Sequence, residues 1–473
     1  MEISFTSYEY QQDETFHKAD YRYKGSCEKG WQIFRNDILI ETLGSGYVLL
    51  KSLYCGICST DIARANLPFS LPQITGHEVI ALYQDKPVSV EINASHIARG
   101  IKNSDCYYCD HDMGEHCPER LTLGIDRLPG GFSPYLLAPQ NSICPLPSSF
   151  DVEKSAVIEP FAAALQAVEV SQISNDMHVA IVGPKRLGLL LIFALGLYRK
   201  DSQLNFSISA VIRHSTLSET CLFFGADEVI LVDELDQREF DVVFDTSGSV
   251  SGFQLAMSIT KTTLHVKSTH GMEIGGFTQL TRLVIDELSL MPLLGNSYNH
   301  LISSLLEEDK RSILFDSAVS PAIKLWIENN FPNKIIVECN LDCLEAEDVK
   351  QIMPTKEFGK FDVALVASLD HLNKIMNFPD VGNLLRARGD IHWCGKLVEV
   401  PLVWQKLFMK NMRLHASRCG KFSHAIKLIA DNSELFSAIA SKYISGCYEI
   451  NKINEAFDVA RNDVDSIKLL IKH

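Results

Sequence analysis

The chain has 473 residues, 46% hydrophobic and 22% charged, so it can bury substantial cores and is not disordered. At roughly 100–200 residues per domain, that length implies two to four domains. Lys and Arg total 44 against 59 Asp and Glu, a formal charge of -15; the balance argues against a nucleic-acid or anionic-membrane partner and leaves small-molecule chemistry open.

The opening stretch MEISFTSYEYQQDE lacks the basic region and apolar run of a secretory signal. The longest strongly apolar stretch, around Gly188–Tyr198, is too short to span a bilayer. The 13 cysteines are clustered, which in a chain of this size points to metal or active-site thiolates more than to disulfides. The expectation is a cytoplasmic protein with neither membrane nor nucleic acid as partner.

Residues 1–160 read as short β-rich segments separated by turns, among them GYVLLKSL, KPVSVEI and YLLAP. Near Val168 the texture changes to alternating strand and helix. HVAIVG (178–183), SISAVI (207–212), EVILVD (228–233), DVVFDT (241–246) and TLHVKS (263–268) are strand signals with helix-length intervals between most of them. Alternating β and α units imply a mainly parallel sheet covered by helices.

A repeat follows. FDVVFDTSGS at 240 has a partner in FDVALVASLD at 361, and TLHVKSTHG (263–271) is echoed by DIHWCG (390–395). NHLISSLLEE (299–308) is echoed by SHAIKLIADN (423–432), with His300 matching His424 at an offset of 124. Three likenesses in the same order read as a duplicated half-sheet module. The alternative is that any β-α-β segment resembles any other.

Cys55-Gly-Ile-Cys58-Ser-Thr60-Asp61 is followed, 18 residues after Cys58, by Gly76-His77-Glu78. A thiolate and an imidazole suit Zn²⁺, with a carboxylate or water to complete a tetrahedron. Thr60 could reach an oxygen held at the metal, and Asp61 could orient the histidine. The alternative is a redox CxxC pair and an unrelated turn. Further on, Cys106-x2-Cys109-x7-Cys117 forms three-quarters of a structural zinc lobe. A fourth thiolate three residues upstream would complete it, but that position is Asn103. Asp105, Asp110, His111 and His116 are the candidate substitutes, and a metal-free lobe is the alternative. Glu159, before Pro160, is either a carboxylate near the metal or a helix-start glutamate favoured by the macrodipole.

With CGICSTD, GHE, the three-cysteine remnant, GGFSPYLLAP (130–139), the Glu159-Pro160 pair, the strand–turn–helix from 178 and the closing INEAFDVARNDVDSIKLLI, the chain resembles the zinc-dependent medium-chain dehydrogenase/reductase family of alcohol, polyol and threonine dehydrogenases. The resemblance covers residues 40–300 and about 405–473. It implies an α/β protein with a β-rich GroES-like catalytic domain over 1–165, completed by 436–473. A doubly wound, parallel-sheet Rossmann domain would follow over 166–308. Residues 309–404 have no counterpart in that plan and read as an α/β insertion, with 405–435 as a return segment of the Rossmann domain. The resemblance implies Cys58 and His77 as zinc ligands, Glu159 or Glu78 as the nearby carboxylate, and Thr60 as the proton relay. Cys55 is then a neighbour. The activity implied is hydride transfer between a small secondary alcohol or polyol and NADP(H) or NAD(H), in a homo-oligomer.

The cofactor motif departs from that pattern. Gly183-Pro184-Lys185-Arg186-Leu187-Gly188 stands where G-x-G-x-x-G is usual. The first glycine makes the tight turn and the last allows close helix packing, but Lys185 replaces the glycine that lets backbone approach the pyrophosphate. Arg186 adds a second cation. The second strand ends in Val211-Ile212-Arg213-His214, and a basic residue there suits a 2′-phosphate, which favours NADP(H). Lys267-Ser268-Thr269-His270-Gly271 is either a nicotinamide-contacting turn or a plain strand end. His265 and His300 read as structural. The copy at 361 has lost the DTSGS ending, so no second nucleotide site is expected. Which copy takes the position of the usual last strand is left open by the sequence, although SRCGKF (417–422), more family-like than LLGNSY (293–298), favours the downstream one. Lys185 and Asn103 also support a second reading, a relative that keeps the fold and serves as a binding or assembly protein.

Overall fold

The computed structural model describes residues 1–473 apart from 68, 103, 269–270, 294–297 and 354–359. It divides into two units, Met1–Ala163 with Cys419–His473, and Ala164–Arg418. The stretch after Arg418 is bound to the first unit. Phe422 N donates to Glu91 at 2.9 Å, and Lys154 Nζ donates to Ser437 Oγ at 2.8 Å. The expected return segment 405–435 is therefore shared between the units.

The first unit opens with four antiparallel strands in chain order, Glu2–Tyr10, Phe16–Ser26, Gly30–Arg35 and Ile38–Leu43. Tyr21, Tyr23, Trp31 and Ile33 point inward from this meander. A seven-stranded sheet follows, in which the Tyr47–Gly56 strand lies between Glu78–Tyr83 and the C-terminal Lys468–Lys472. The helix Ile453–Asn462 buries Ile453, Ala456, Phe457 and Ala460 at i, i+3, i+4 and i+7, the spacing of one helical face. Phe457 packs edge-on against Phe16 with ring centres 4.6 Å apart. The closing segment thus completes the core of the first unit.

The second unit is built on one eleven-stranded sheet. Its first six places are taken by Glu228–Leu231, Ser207–Ile212, His178–Val182, Phe240–Asp245, Thr260–Val266 and Arg413–Ala416, all parallel. This is the doubly wound order, with its switch point at the His178 strand. These strands are nearly continuous apolar runs because both faces are covered. The sixth place belongs to the downstream copy, the one that the SRCGKF text favours. The upstream copy, Ser289–Pro292, lies on its far side and pairs with it antiparallel through Leu290 and Leu414.

Beyond Ser289–Pro292 come Leu385–Trp393, Phe361–Val366, Ser312–Asp316 and Ile335–Cys339, again parallel to one another. Residues 309–404 therefore extend the sheet. Asp362 anchors this added half. Its Oδ2 accepts from Arg311 N, Ser312 N and Ser312 Oγ at 2.7–2.8 Å, and its Oδ1 accepts from Arg386 Nε at 2.6 Å. Arg386 is buried and also donates to Asp309 at 2.7 Å. No helix among the described residues is long and apolar enough to cross a membrane. Replacing Asp362 by Ala removes the buried carboxylate that faces the Arg386 charge, while the contacts to Asp309 and Ala387 O stay. The expected cost is about 3–5 kcal/mol of second-unit stability, measured as a shift in its urea transition.

Candidate metal centres and nucleotide crevice

The strand pairing of Gly56 with Glu78 brings CGIC beside GHE. Asp61 ties the two loops together. Its Oδ2 accepts from Cys58 N at 2.9 Å, capping the short Ser59–Ile62 helix, and its Oδ1 accepts from Gly76 N at 3.1 Å. Asp61 Oδ1 also lies 3.6 Å from His77 Nδ1, a buried nitrogen with no hydrogen-bond partner of its own. Burial opposes a charged imidazole, but Asp61 and Cys58 outweigh it and hold His77 well above its ordinary pKa. Thr60 Oγ1 is 3.8 Å from Cys58 Sγ. Ligand atoms of Cys58, His77 and Glu78 all fall within 4.8 Å of one another.

The two candidate carboxylates differ sharply. Both oxygens of Glu78 accept from Lys468 Nζ, at 2.6 and 2.7 Å, and the pair is almost wholly buried. Lys468 also donates to Ile57 O at 3.1 Å. Glu78 is thus neutralised by an ammonium arriving from the C-terminal strand. Glu159 sits in the first turn of the Ile158–Glu169 helix and is half-buried. Burial first, and then the charge of Glu78, push its carboxyl up to about 7 against the pull of His77 and Lys468.

The cysteine lobe gains a member that its spacing did not reveal. Cys106, Cys109 and Cys117 are buried together with His96, whose Nδ1 lies 3.5 Å from Cys117 Sγ and 3.8 Å from Cys109 Sγ. His96 Nε2 contacts Glu119 at 2.9 Å, the carboxylate partner that orients a ligating imidazole. Burial pushes the Cys117 thiol up to about 12. Three cysteines and one histidine suit a closed tetrahedral zinc site. Asn103 lies outside the described residues. Of the other candidates, His111 stacks on Tyr107 at 3.5 Å, and Asp105, Asp110 and His116 are not in the four-residue cluster.

In the second unit a crevice of about 200 Å³ opens at the carboxyl ends of the His178 and Ser207 strands. Gly183, Lys185, Arg213, Ser247 and Gly252 are among its walls. Gly183 has φ +71°, and a Cβ there would press against Ser247 at 2.9 Å. Gly188 passes close to Thr246, whose hydroxyl donates to Val182 O at 3.0 Å. Both glycines therefore have the turn and packing positions expected of them. Lys185 is the N-cap residue of the Arg186–Ser202 helix, while Arg186 and Leu187 lie in its first turn and do not line the crevice. Arg213 Nη2 donates to Ser251 Oγ at 2.5 Å.

Lys267 turns to the chain beyond the Arg413 strand, donating to Ser417 Oγ at 2.9 Å and Arg418 O at 2.8 Å. Thr269 and His270 lie outside the described residues. His265 is buried between Ser417 and Ser171, and burial holds it well below its ordinary pKa. His300 Nε2 meets Asn411 O at 3.0 Å. Ser249 caps one helix by accepting from Gly252 N, and Ser368 caps its counterpart in the added half-sheet by accepting from His371 N. The His371 ring is held by Asp316 at 2.6 Å and Asp342 at 3.0 Å.

Residues 44–148 match the alcohol dehydrogenase GroES-like domain. The chain is 31% identical over 174 residues to L-galactonate-5-dehydrogenase of Escherichia coli, covering 34% of this chain and 49% of that one. It is 24% identical over 247 residues to sorbitol dehydrogenase of Bacillus subtilis, covering 47% and 69%. The chain therefore spans about half the length of the first relative and about two-thirds of the second. Among solved structures, an Escherichia coli alcohol dehydrogenase complexed with NADH aligns with a TM-score of 0.55 at 14% identity, over 99% of both chains. Residues 44–148 thus carry an alcohol dehydrogenase GroES-like domain, and the chain shares the fold of that solved alcohol dehydrogenase.

The buried pair at the first site yields a direct test. Lys468→Met leaves the Glu78 carboxylate unpaired and is expected to cost about 3–5 kcal/mol of first-unit stability in a denaturant titration. Adding Glu78→Gln should restore much of that loss, because the uncompensated charge is then gone.

Proposed function

We propose that the protein is an oxidoreductase that moves a hydride between a small secondary alcohol or polyol and a nicotinamide dinucleotide. The observation that carries this reading is the convergence of Cys58 and His77 on one point, held by Asp61, with the Glu159 carboxyl coupled electrostatically to His77. Cys58 and His77 would hold the zinc ion, with Glu159 as the third carboxylate-bearing neighbour, since Glu78 is engaged by Lys468. Zinc held there would supply Lewis-acid stabilisation of negative charge on the substrate oxygen, and a bound nicotinamide would supply the hydride acceptor.

The chain's own residues have distinct tasks. Asp61 orients the loop of Cys58 and that of His77 together, so the donors are positioned before any ligand arrives. Thr60, within 3.8 Å of Cys58 Sγ, is placed to take the hydroxyl proton of the substrate and pass it on. In the alcohol-to-ketone direction the substrate loses one hydride to the nicotinamide and one proton to this relay. Lys185 and Arg213 bring positive charge to the crevice, where a dinucleotide carries its phosphates. Arg213 at the end of the second strand supports NADP(H) over NAD(H).

A second reading rests on Lys185. A lysine where backbone normally approaches the pyrophosphate narrows the crevice, which fits a relative that binds without turning over. Fluorescence titration with NADPH and NADH separates the two. The expected result is one nucleotide per chain with NADPH tighter, and Arg213→Ser weakening NADPH about tenfold, or ~1.4 kcal/mol, with NADH little changed. Zinc bound without either nucleotide at millimolar concentration would exclude the dehydrogenase.

Metal analysis tests the donor sets. Two zinc ions per chain are expected, with Cys58→Ser and His96→Ala each lowering the count by one. A count unchanged by Cys58→Ser would remove that thiol from the proposed ligands.

A further inference from the structure

The eleven-stranded sheet contains one antiparallel contact within an otherwise parallel order, at Leu290 and Leu414. These residues are 124 positions apart, the same offset that relates His300 to His424. Equivalent residues of the two copies therefore face each other. That is the mark of a twofold axis, on which residue i of one module meets residue i of its mate.

The strands on either side are exchanged. Ser289–Pro292 follows the Thr260 strand in the chain, yet pairs parallel with Leu385–Trp393 of the second copy. Arg413–Ala416 follows the Leu385 strand, yet pairs parallel with Thr260–Val266 of the first. Each half-sheet is thus finished by the other's last strand, the arrangement of a domain-swapped pair. Polar groups fasten the junction, since Ser289 Oγ meets His415 Nδ1 at 2.9 Å and accepts from Arg413 Nη2 at 3.0 Å.

We propose that the second half-sheet is a built-in partner, standing where a second copy of the first half would dock, and that the protein acts as a single chain. A half-sheet alone would end in an open strand, the edge that recruits another molecule. Here both strands at that edge are already paired on each side. The homo-oligomer implied by the resemblance is replaced by an association within one chain, which does not depend on concentration.

The test uses the full chain and does not depend on activity. Sedimentation velocity from about 1 to 100 µM is expected to return a mass of 52.9 kDa throughout. A mass of two chains, or one that rises with concentration, overturns the proposal. Hydrogen exchange read on 289–292 and 413–416 gives a second measurement. Equal protection at both ends of the range is expected, and protection that grows with concentration would show pairing between molecules.

Discussion

The first unit depends on the buried pair between Glu78 and Lys468. An ammonium and a carboxylate removed from water repay their desolvation only with close, bidentate geometry, and these two have it at 2.6 and 2.7 Å. The pair lies under the loops that carry Cys58 and His77. It binds the last strand to the strand pair from which those loops spring. The donor set is thereby mounted on three hydrogen-bonded strands and not on loops alone. Rigid mounting of this kind places ligands before a ligand arrives.

The second unit meets a different constraint. A mainly parallel sheet needs both faces covered and each edge accounted for. Residues 309–404 satisfy this by continuing the sheet, so the added text had to be strand-and-helix like its neighbour. The two copies have since been put to different uses. Gly252 lines the first crevice, and in the second copy His371 is clamped by Asp316 and Asp342. Burial works against a charged ring there, but the two carboxylates hold His371 above its usual range, so the clamp is strongest below neutral pH.

Much of this was legible in the sequence because it rests on local chemistry. The CGIC–GHE spacing, the alternation of strand and helix, and the repeat are all short-range signals. The better resemblance of SRCGKF also favoured the copy that takes the sixth strand position. What escaped is long-range. His96 lies ten residues before Cys106 with no familiar ligand spacing, and only folding brings it to the thiols. Lys468 interrupts an apolar strand 390 residues from its partner, and a buried lysine in such a run is the one hint of it. The new place of Ser289–Pro292 left no trace, because a strand buried on both faces carries no alternation to show which neighbour it takes.

The placement of Lys468 and Arg413 has a consequence for how the chain is made. Tyr47–Gly56 emerges early, but its neighbour on one side is Lys468–Lys472, and the Thr260 strand waits for Arg413–Ala416. During synthesis, the first unit therefore carries an unfilled strand position for most of the chain's length, and the second carries one from Val266 to Arg413. Contacts of such separation close slowly, since the entropy of a long loop is lost before the pairing is gained. Until then the open edges are the parts of the nascent chain most in need of shielding.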